Sequence, residues 1–505
     1  MRKFVTTVIF LILTFVILPP RPAYAETSCE GALSTEPALK LIFTTFEPPR
    51  DKNGFSLKQI IPNLPDFATF SNYGQYAILR HLVFPSGEHV SVVNVNTGEL
   101  IGDMTWESQE RFYGTLWSAA FDDAHSRLIA WGGNQTADGI DQLITKDFSS
   151  GEVTSISLAP VDGSGSASRS ARFSTFRSPI SMEHPYYLRF HFDRFDLKSC
   201  KNEFATEIGN HQNGKTLKLD DVYFDCLSKP VLPFQARHQF AAIPSRNGLN
   251  INLLSFEEIE QRMNASDEDL ANSKPFAFKT LRHSEVIRRV EPVKHAPLVV
   301  TSTQHYIFIW NVHSGELIDK IEVDFTEFLV LDHLRAIAYR TNQGQMALYS
   351  YLTHELIGSF EKAPNRSVAS MVDEWQDGVA YVTDKEGQVF QLVERFTEGH
   401  ASYDVASTGI VVGQNELYRT VLKSGENFYL LTASEQARPD TLINKDLLIK
   451  VYSWTSHQVV ATKIFNADAD LVIKMDPLRR RVFFTASKRE IGFLNLERLL
   501  QERGL

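Results

Sequence analysis

The feature that most constrains this chain is a short β-hairpin pattern that recurs along its length. Its clearest copy lies within residues 282–318, where three apolar runs with strand character are separated by Pro292, Pro297 and a polar turn, and a fourth strand follows from Leu317. The last turn reads His313-Ser314-Gly315-Glu316, and its glycine can take the positive φ that a tight hairpin requires. Four short antiparallel strands in about 40 residues match one unit of a repeated sheet architecture.

Related segments occur through most of the chain, some with the glycine turn and some without it. Because a single four-stranded sheet cannot bury both of its faces, neighbouring units must pack face to face around an axis. The pattern predicts an all-β protein, a β-propeller of four-stranded antiparallel blades, with eight blades expected within a range of seven to nine. The turn of the segment 187–208 is expected at Lys198-Ser199-Cys200-Lys201. The related segments are 90–100, 143–153, 187–208, 250–256, 346–357, 388–393, 449–461 and 490–496.

The clearest copy also resembles a WD-repeat blade. His283 stands where that family has its Gly-His pair, and Trp310, 27 residues later, stands where it has the Trp of the Trp-Asp dipeptide. Three positions depart from the family pattern: Arg282 replaces the glycine, Asn311 replaces the aspartate, and His305 takes the place of the buried strand-turn aspartate. The resemblance implies a WD-repeat-like propeller or one of the looser YVTN-type and quinoprotein-like kind. It also implies that the two histidines form hydrogen bonds to turns rather than acting as ligands or bases in a central channel.

The two ends of the chain are expected to meet in one blade. An open ring would leave edge strands that can pair with other chains, so closure is favoured. The segments 472–475, 482–485 and 491–495 supply three strands, and the outer fourth strand is expected from the N-terminal region near 56–61. Residues 497–505 are typical of a short closing helix at the C-terminus.

The N-terminus has the pattern of a secretory signal peptide. A basic start is followed by an apolar run of 15 residues, from 4 to 18, and by a small-residue cleavage pattern that ends at Ala25. This run is shorter than the roughly 20 residues that a membrane-spanning helix needs, and an uncleaved anchor is the alternative. We therefore expect cleavage after Ala25, no stable membrane insertion, and an exported protein, either periplasmic or secreted. The expected domains are a signal peptide at 1–25, an N-terminal extension at 26–55, and a propeller at 56–505 with a helical insertion near 255–270.

Two segments interrupt the β pattern and are expected on a rim of the ring. Residues 162–172 form a flexible loop rich in Ser and Gly. In the insertion near 255–270, Ser255 and Glu258 have the spacing of a helix capping box. Loops on a rigid scaffold commonly carry binding function, so both segments are places to expect it.

The charge balance narrows the classes of partner. The chain has 51 basic and 61 acidic residues and a net charge of −10. Loss of Arg2, Lys3 and Arg21 with the signal peptide would leave 48 basic residues and a net charge of −13. An acidic balance of this size argues against nucleic acid as a partner.

The cysteine content points to a fold that its core stabilises. Three cysteines, Cys29, Cys200 and Cys226, are too few for a scaffold built on disulfides. One possible disulfide joins Cys200 to Cys226 in an oxidising compartment. Two buried thiols are the other interpretation, because free cysteine is among the most buried residue types.

The sequence carries no complete catalytic, cofactor-binding or metal-binding motif, and none is assigned. It contains neither a nucleophile elbow nor a phosphate-binding loop. His191 and Asp193, with Asp196 nearby, are expected on one face of a strand, where they would supply half of a metal site. A second partial set resembles the opening of a calcium loop without its glycine. It consists of Asn466, Asp468 and Asp470.

The expected function is that of an exported, non-catalytic propeller that binds a protein or another macromolecule through one rim. The alternative is a propeller enzyme of lactonase-like or quinoprotein-like kind, whose central channel gathers residues from several blades and so leaves no local motif. A ligand-binding sensor or a structural part of an envelope assembly has the same sequence signature as the first. An axial cluster of acids and histidines would favour the enzyme, and a broad apolar patch of several hundred Å² on one face would favour the scaffold.

Overall fold

The structure is a computed structural model, and the expected signal peptide, the cleavage site after Ala25 and all three cysteines lie outside the residues it describes. Those residues are 39–43, 67–71, 74–83, 87–95, 100–106, 115–133, 141–158, 176–177, 183–196, 201–219, 234–235, 237–245, 248–266, 279–361, 367–368, 371–375, 379–397, 400–413, 415–416, 418–424, 427–437, 445–467, 473–475, 481–487, 490–495 and 499.

Within these residues, nine four-stranded antiparallel sheets follow one another along the chain, and the first strand, β1 (Leu39–Phe43), belongs to the last of them. Sheet 1 consists of β2 (Phe67–Phe70), β3 (Tyr76–Val83), β4 (Gly87–Asn94) and β5 (Leu100–Trp106). Sheet 2 consists of β6 (Thr115–Asp122), β7 (Arg127–Gly133), β8 (Asp141–Asp147) and β9 (Val153–Leu158). Sheet 3 consists of β10 (Phe176–Arg177), β11 (Tyr186–Asp196), β12 (Lys201–Asn210) and β13 (Thr216–Leu219).

The next three sheets follow the same order. Sheet 4 consists of β14 (Phe234–Gln235), β15 (Phe240–Pro244), β16 (Asn250–Ser255) and β17 (Lys279–Arg282), with helix α1 (Phe256–Asn264) between its last two strands. Sheet 5 consists of β18 (Arg289–Pro292), β19 (Leu298–Ser302), β20 (Tyr306–Asn311) and β21 (Leu317–Glu322). Sheet 6 consists of β22 (Phe325–Leu331), β23 (Ala336–Thr341), β24 (Gln345–Ser350) and β25 (Glu355–Glu361).

The last three sheets complete the set. Sheet 7 consists of β26 (Val372–Trp375), β27 (Val379–Thr383), β28 (Gln388–Thr397) and β29 (His400–Val411). Sheet 8 consists of β30 (Tyr418–Ser424), β31 (Asn427–Ala437), β32 (Lys445–Ser453) and β33 (Val459–Ala467). Sheet 9 consists of β34 (Ile473–Met475), β35 (Arg481–Ser487), β36 (Glu490–Asn495) and β1.

The fold is a WD40-like β-propeller, as the sequence predicts. Each of sheets 1 to 8 is a meander of four consecutive strands. Nine sheets among the described residues are one more than the eight expected and lie within the range of seven to nine.

Both faces of a sheet are buried because each packs on a different neighbour. On strand β20, Phe308 and Trp310 pack with Phe240 of sheet 4. Ile307 and Ile309, which alternate with them, belong to the core shared with sheet 6. Burying side chains of this size removes about 1.5–3 kcal/mol of apolar hydration cost for each, so the stacking of sheets is the main source of stability.

The turn between the third and fourth strands is built in the same way in several sheets. In sheet 5, the side-chain oxygen of Asn311 accepts the backbone N–H groups of His313 at 2.8 Å and Ser314 at 3.0 Å. Four residues after the asparagine, Gly315 has a φ of 77° and donates its N–H to the Asn311 carbonyl. The hairpin predicted between Tyr306 and Leu317 is therefore confirmed. Equivalent pairs are Asp147 and Gly151, Asn210 and Gly214, Ser350 and His354, and Ser453 and His457.

In sheet 3 this turn lies elsewhere than the sequence predicts. Strands β11 and β12 are the second and third strands, so the segment Lys198-Ser199-Cys200-Lys201 falls between them and not between the third and fourth. The turn equivalent to that of sheet 5 begins at Asn210 and has Gly214 in the left-handed position. The sequence pattern predicts a third strand in the segment that begins at Tyr187, whereas β11 is the second strand of its sheet.

The N-terminal strand joins the last sheet, as ring closure requires. Strand β1 pairs with β36 in antiparallel register, with Leu41 opposite Gly492. This outer strand comes from the segment assigned to the N-terminal extension, whereas residues 56–61, where it was expected, lie outside the described residues. Of the expected closing helix at 497–505, the structure describes Leu499, which is helical and buried.

Helix α1 covers the seam between sheets 3 and 4. It begins after Ser255, whose hydroxyl accepts the N–H of Glu258 at 3.2 Å, as the capping-box spacing predicts. Buried Phe256, Ile259 and Met263 share one core with residues of both sheets. The helix ends at Asn264, earlier than the expected 270. Among the described residues, no helix combines the length and the apolar character needed to cross a bilayer.

Two glycines with positive φ test how closely the turns are packed. Gly315 lies between the third and fourth strands of sheet 5, and Gly387 lies between the second and third strands of sheet 7. At Gly315 an added Cβ would lie no closer than 3.8 Å to Lys279, so alanine is expected to cost about 1 kcal/mol for the left-handed backbone alone. At Gly387, φ 87°, the added Cβ would lie 2.1 Å from the carbonyl oxygen of Val412, so the cost is expected to be about 2 kcal/mol or more. Urea unfolding of Gly315→Ala and Gly387→Ala measures both, and equal losses of stability would contradict the packing around Gly387.

Candidate interaction face

The connections from first to second strand and from third to fourth strand emerge at one end of each antiparallel sheet, because successive strands alternate in direction. We call this end the turn face. All 15 histidines of the chain fall within the described ranges, and ten of them lie in or beside these connections. The ten are His125, His184, His211, His238, His295, His313, His333, His354, His400 and His457.

Half of these histidines occupy one repeated position. In sheets 2 to 6 a histidine stands two or three residues before the second strand. Sequence reasoning considered His283 and His305 and missed this repeat. The signal becomes visible only when the second strands are aligned with one another. The repeated residues are His125, His184, His238, His295 and His333.

Turns of sheets 4, 5 and 6 bring several of these side chains together. We call His238, His295, His313, His333 and Arg237 the histidine cluster. The Nη1 atom of Arg237 lies 3.0 Å from Nδ1 of His295. The ring centres of His295 and His333 are 4.7 Å apart, and those of His238 and His313 are 6.0 Å apart. Three neighbouring sheets therefore contribute to one group of basic side chains.

Two carboxylates anchor the turns that carry the cluster. Asp332 accepts the backbone N–H of Lys294, which ties the turn of sheet 5 to that of sheet 6. Glu374 on β26 accepts the N–H of His333 at 2.9 Å, and the N–H groups of Asp332 and Leu334 also interact with it. Burial raises the pKa of both carboxyl groups, and these hydrogen bonds act in the opposite direction. Each turn is thus held by the next sheet along the chain.

A hairpin of sheet 7 extends beyond the end of its own sheet on the same face. Strand β27 pairs with β28 as far as Val393, whereas β28 and β29 continue to pair up to Thr397 and His400. We call the described residues of this extension, 394–397 and 400–403, the projecting hairpin. Its side chains pack on the neighbouring turns of sheet 6.

Polar contacts fix the projecting hairpin in place. Arg335, at the start of β23, forms an ion pair with the buried Glu394 at 2.9 Å, and its guanidinium lies 4.6 Å from the ring centre of Phe396. The hydroxyl of Tyr403 lies 2.7 Å from that of Ser350 in the last turn of sheet 6. Burial raises the pKa of Tyr403 to about 12, so its hydroxyl stays protonated. The hairpin therefore presents Phe396, 55% exposed, from a braced backbone.

The residues that carry the WD-repeat resemblance form a buried hydrogen-bonded triad. The Thr301 hydroxyl lies 2.6 Å from Nε2 of His283 and accepts the indole N–H of Trp310 at 3.0 Å. The hydroxyl partner of His283 lies on a strand, and the backbone of Leu249, in the connection between β15 and β16, also interacts with its ring, as expected. His305 contacts Asp324, which lies in the connection to β22, so this histidine does bond to a turn residue. Both contacts are structural.

The partial metal sets of the sequence do not become sites among the described residues. A β-bulge falls between Phe192 and Arg194, so the simple alternation that placed His191 and Asp193 on one face does not hold there. Of the calcium-like set, Asn466 lies in β33, and Asp468 and Asp470 lie outside the described residues. A search of the described part of the chain for three or more His, Cys, Asp or Glu side chains able to hold a metal ion found none.

Several carboxylates of the innermost strands are used to join structural elements. Glu291 on β18 accepts a hydrogen bond from Arg289 at 2.7 Å. Glu327 on β22 accepts the backbone N–H of Val368, ahead of sheet 7, at 2.8 Å. Glu327 and Glu374 therefore hold neighbouring sheets and turns, whereas the bond of Glu291 lies within β18.

Comparisons with known proteins concern the fold. No protein-family model and no curated protein sequence matches this chain. The chain is similar to the WD40 domain of SCAP from fission yeast, at 8% identity and a TM-score of 0.41 over 91% of this chain and 98% of that one. It is also similar to a eukaryotic initiation factor, at 10% identity and a TM-score of 0.49 over 81% and 89% of the two chains. A third similar structure is the dihydro-heme d1 dehydrogenase NirN in complex with DHE, at 11% identity and a TM-score of 0.42 over 81% and 77%.

Two buried histidines make stability depend on pH. Burial lowers the pKa of His184 and of His283 from 6.5 to about 4. The unfolded chain therefore binds protons between pH 6.5 and 4 that the folded chain does not, so stability is complete above pH 6.5 and falls as the pH decreases to about 4, by on the order of 3 kcal/mol for each histidine. We expect His283→Gln to take up about one proton fewer on unfolding at pH 5 than the unmodified chain. Equal pH slopes of the unfolding free energy would contradict this assignment.

Proposed function

We propose that this protein is a non-catalytic β-propeller that binds a protein partner through its turn face, centred on sheets 6 and 7. The observation that carries the proposal is the projecting hairpin, which holds an exposed aromatic ring next to a guanidinium group. Arg335 contacts the ring of Phe396, and aromatic and arginine side chains dominate the energetics of protein interfaces.

The bracing of the hairpin supports a role in binding. Glu394 and Tyr403 hold it against sheet 6 through an ion pair and hydrogen bonds, so little conformational entropy would be lost when a partner docks. A loop that served only to connect two strands would not need an ion pair with another sheet. The sheet and the projecting hairpin together give a preorganised contact surface.

Exposed aliphatic side chains recur at the same end of the sheets. In five sheets the residue that follows the turn between the third and fourth strands is a leucine or valine, 43% to 56% exposed. Leu356, on sheet 6, belongs to the sheet on which the projecting hairpin packs. These side chains extend the apolar contact area beyond Phe396. They are Leu100, Val153, Leu317, Leu356 and Val459.

The alternative function is an enzyme with its site in the central channel, which would require reactive side chains on the inner strands. It would need carboxylates and histidines directed together at the axis and free to react. Glu327 and Glu374, on the first strands of sheets 6 and 7, each accept a backbone hydrogen bond that joins elements of the propeller, and Glu291 on the first strand of sheet 5 is paired with Arg289 of its own strand. This use favours the scaffold over the enzyme.

Export is the second part of the proposal. Residues 1–25 have the three-part pattern of a signal peptide, so the propeller would act in the periplasm or after secretion. In that oxidising setting a bridge between Cys200 and Cys226 is chemically accessible. The acidic balance supports a protein partner rather than nucleic acid.

Two exposed apolar residues on opposite ends of the propeller test the binding face. Phe396 and Val286 are both 55% exposed, but Val286 lies in the connection between sheets 4 and 5 at the end away from the turn face. In crosslinking of the full protein in its native cells, Phe396→Asp is expected to lower the yield of a discrete adduct about tenfold, as loss of an interface hot spot does. Val286→Asp should leave the yield unchanged. Equal effects of the two changes would refute the turn face as the binding surface.

Cleavage is tested by the N-terminus of the mature protein. If the signal peptide is removed after Ala25, N-terminal sequencing of protein isolated from the exported fraction will begin at Glu26. Protein that stays in the cytoplasm with Met1 intact would refute export and leave the binding face unaffected.

A further inference from the structure

The bond between Arg237 and His295 depends on the charge of the imidazole. A guanidinium group has no acceptor, so Arg237 must be the donor and Nδ1 of His295 the acceptor in the 3.0 Å contact. The imidazole nitrogen can accept only while it carries no proton. Protonation of His295 at Nδ1 would therefore break the contact and place two cations side by side.

Other basic and titratable side chains surround Arg237 and His295. His333 stacks on His295 at 4.7 Å, and His238 lies near Arg237 and His313. The other charged or titratable groups that face the cluster come from sheets 4 to 7. They are Lys279, Lys294, Asp332, Tyr351 and Glu374.

The positive charge of this region can therefore increase. At neutral pH the region contains three cations, Arg237, Lys279 and Lys294, and two carboxylates, Asp332 and Glu374, so its net charge is about +1. Protonation of His238 and His295 would add two more positive charges. The two carboxylates, which are held by backbone N–H groups of the turns, offset part of this positive charge, and both favour the charged form of His295.

We propose that the histidine cluster is a binding site for acidic protein segments that becomes active in mildly acidic surroundings. The inference rests on the proposed function, because it specifies the charge of the partner and the condition for binding at the same face. Arg237, Lys294, His295 and His313 are exposed, so the group that would recognise carboxylates is accessible from solvent. An acidic protein with a net charge of −10 repels acidic partners elsewhere, which makes a locally cationic site selective.

The pKa directions agree with this geometry. Burial, followed by the nearby Arg237 and His313, lowers the pKa of His238 below 6.5. Burial and the neighbouring His333 do the same for His295, with Asp332 acting in the opposite direction. Both shifts favour the neutral imidazoles of His238 and His295 at neutral pH, so positive charge on these two rings requires more acidic surroundings.

The test measures binding of a fluorescein-labelled deca-aspartate peptide to the full-length chain by fluorescence polarisation at pH 7.5 and pH 5.5. Aspartate stays ionised at both values, so a change in affinity reports on the protein. We expect binding to be at least about tenfold tighter at pH 5.5 and to weaken with added salt. Equal affinity at the two pH values overturns the proposal without any variant.

Two variants locate the effect. The combined change His238→Gln, His295→Gln, His313→Gln and His333→Gln should remove the pH dependence and retain a polar surface. The matched control, His125→Gln with His354→Gln, alters two other histidines of the turn face, which contact Asp122 and Asp319 respectively, and should keep it. Circular dichroism at both pH values verifies that each protein is folded. If the variant with four substitutions unfolds, the single variant His295→Gln replaces it and is expected to weaken the pH dependence.

The outcomes separate this inference from the proposed function. Loss of pH dependence in the control variant, or its persistence in the cluster variant, overturns the site. Phe396 lies outside the cluster, so its crosslinking test is independent of the deca-aspartate test. If Phe396→Asp lowers the crosslinking yield as expected but deca-aspartate binds at neither pH, the inference is refuted and the proposed function stands.

Discussion

Face-to-face packing of sheets is the constraint on which the rest of this structure depends. A strand such as β20 sends alternate side chains into two different cores, with Trp310 toward sheet 4 and Ile309 toward sheet 6. Because both faces of a sheet are buried in this way, polar chemistry is forced to the strand ends. The turns are therefore where exposed titratable groups can collect, and ten of the 15 histidines do so.

The parts of the fold that are encoded locally could be predicted from the sequence. The hairpin at Gly315 and the cap of helix α1 at Ser255 each depend on residues a few positions apart, and both are present. The expected eight sheets are one fewer than the nine that the described residues form, although the sequence indicates segments 346–357 and 449–461, whose turns have no glycine. His354 and His457 take the left-handed position there with φ values of 59° and 57°, so two of the turns lack the residue that normally marks them.

The candidate site could not be predicted in the same way, because its members come from different sheets. His238, His295 and His333 each look like isolated turn residues, and only the packing order of sheets 4 to 6 brings them together. The same is true of the projecting hairpin, whose ion pair joins Arg335 of sheet 6 to Glu394 of sheet 7. His283 attracted attention because it belongs to a recognisable repeat, and its role proved to be structural.

The way in which the turns are anchored determines how the histidine cluster responds to protons. Isolated surface histidines that become charged can rotate apart and let water screen them. Here the backbone N–H groups of Lys294 and His333 are bound by Asp332 and Glu374, so the turns that carry the stacked rings cannot separate without breaking those bonds. Two unit charges about 4 Å apart near a protein surface repel by several kcal/mol, so the proton on one ring lowers the affinity of the other for a second proton. The rings therefore titrate as a coupled group. An acidic ligand would supply counter-charges to the protonated rings, so binding of the ligand and uptake of protons by the rings would favour each other.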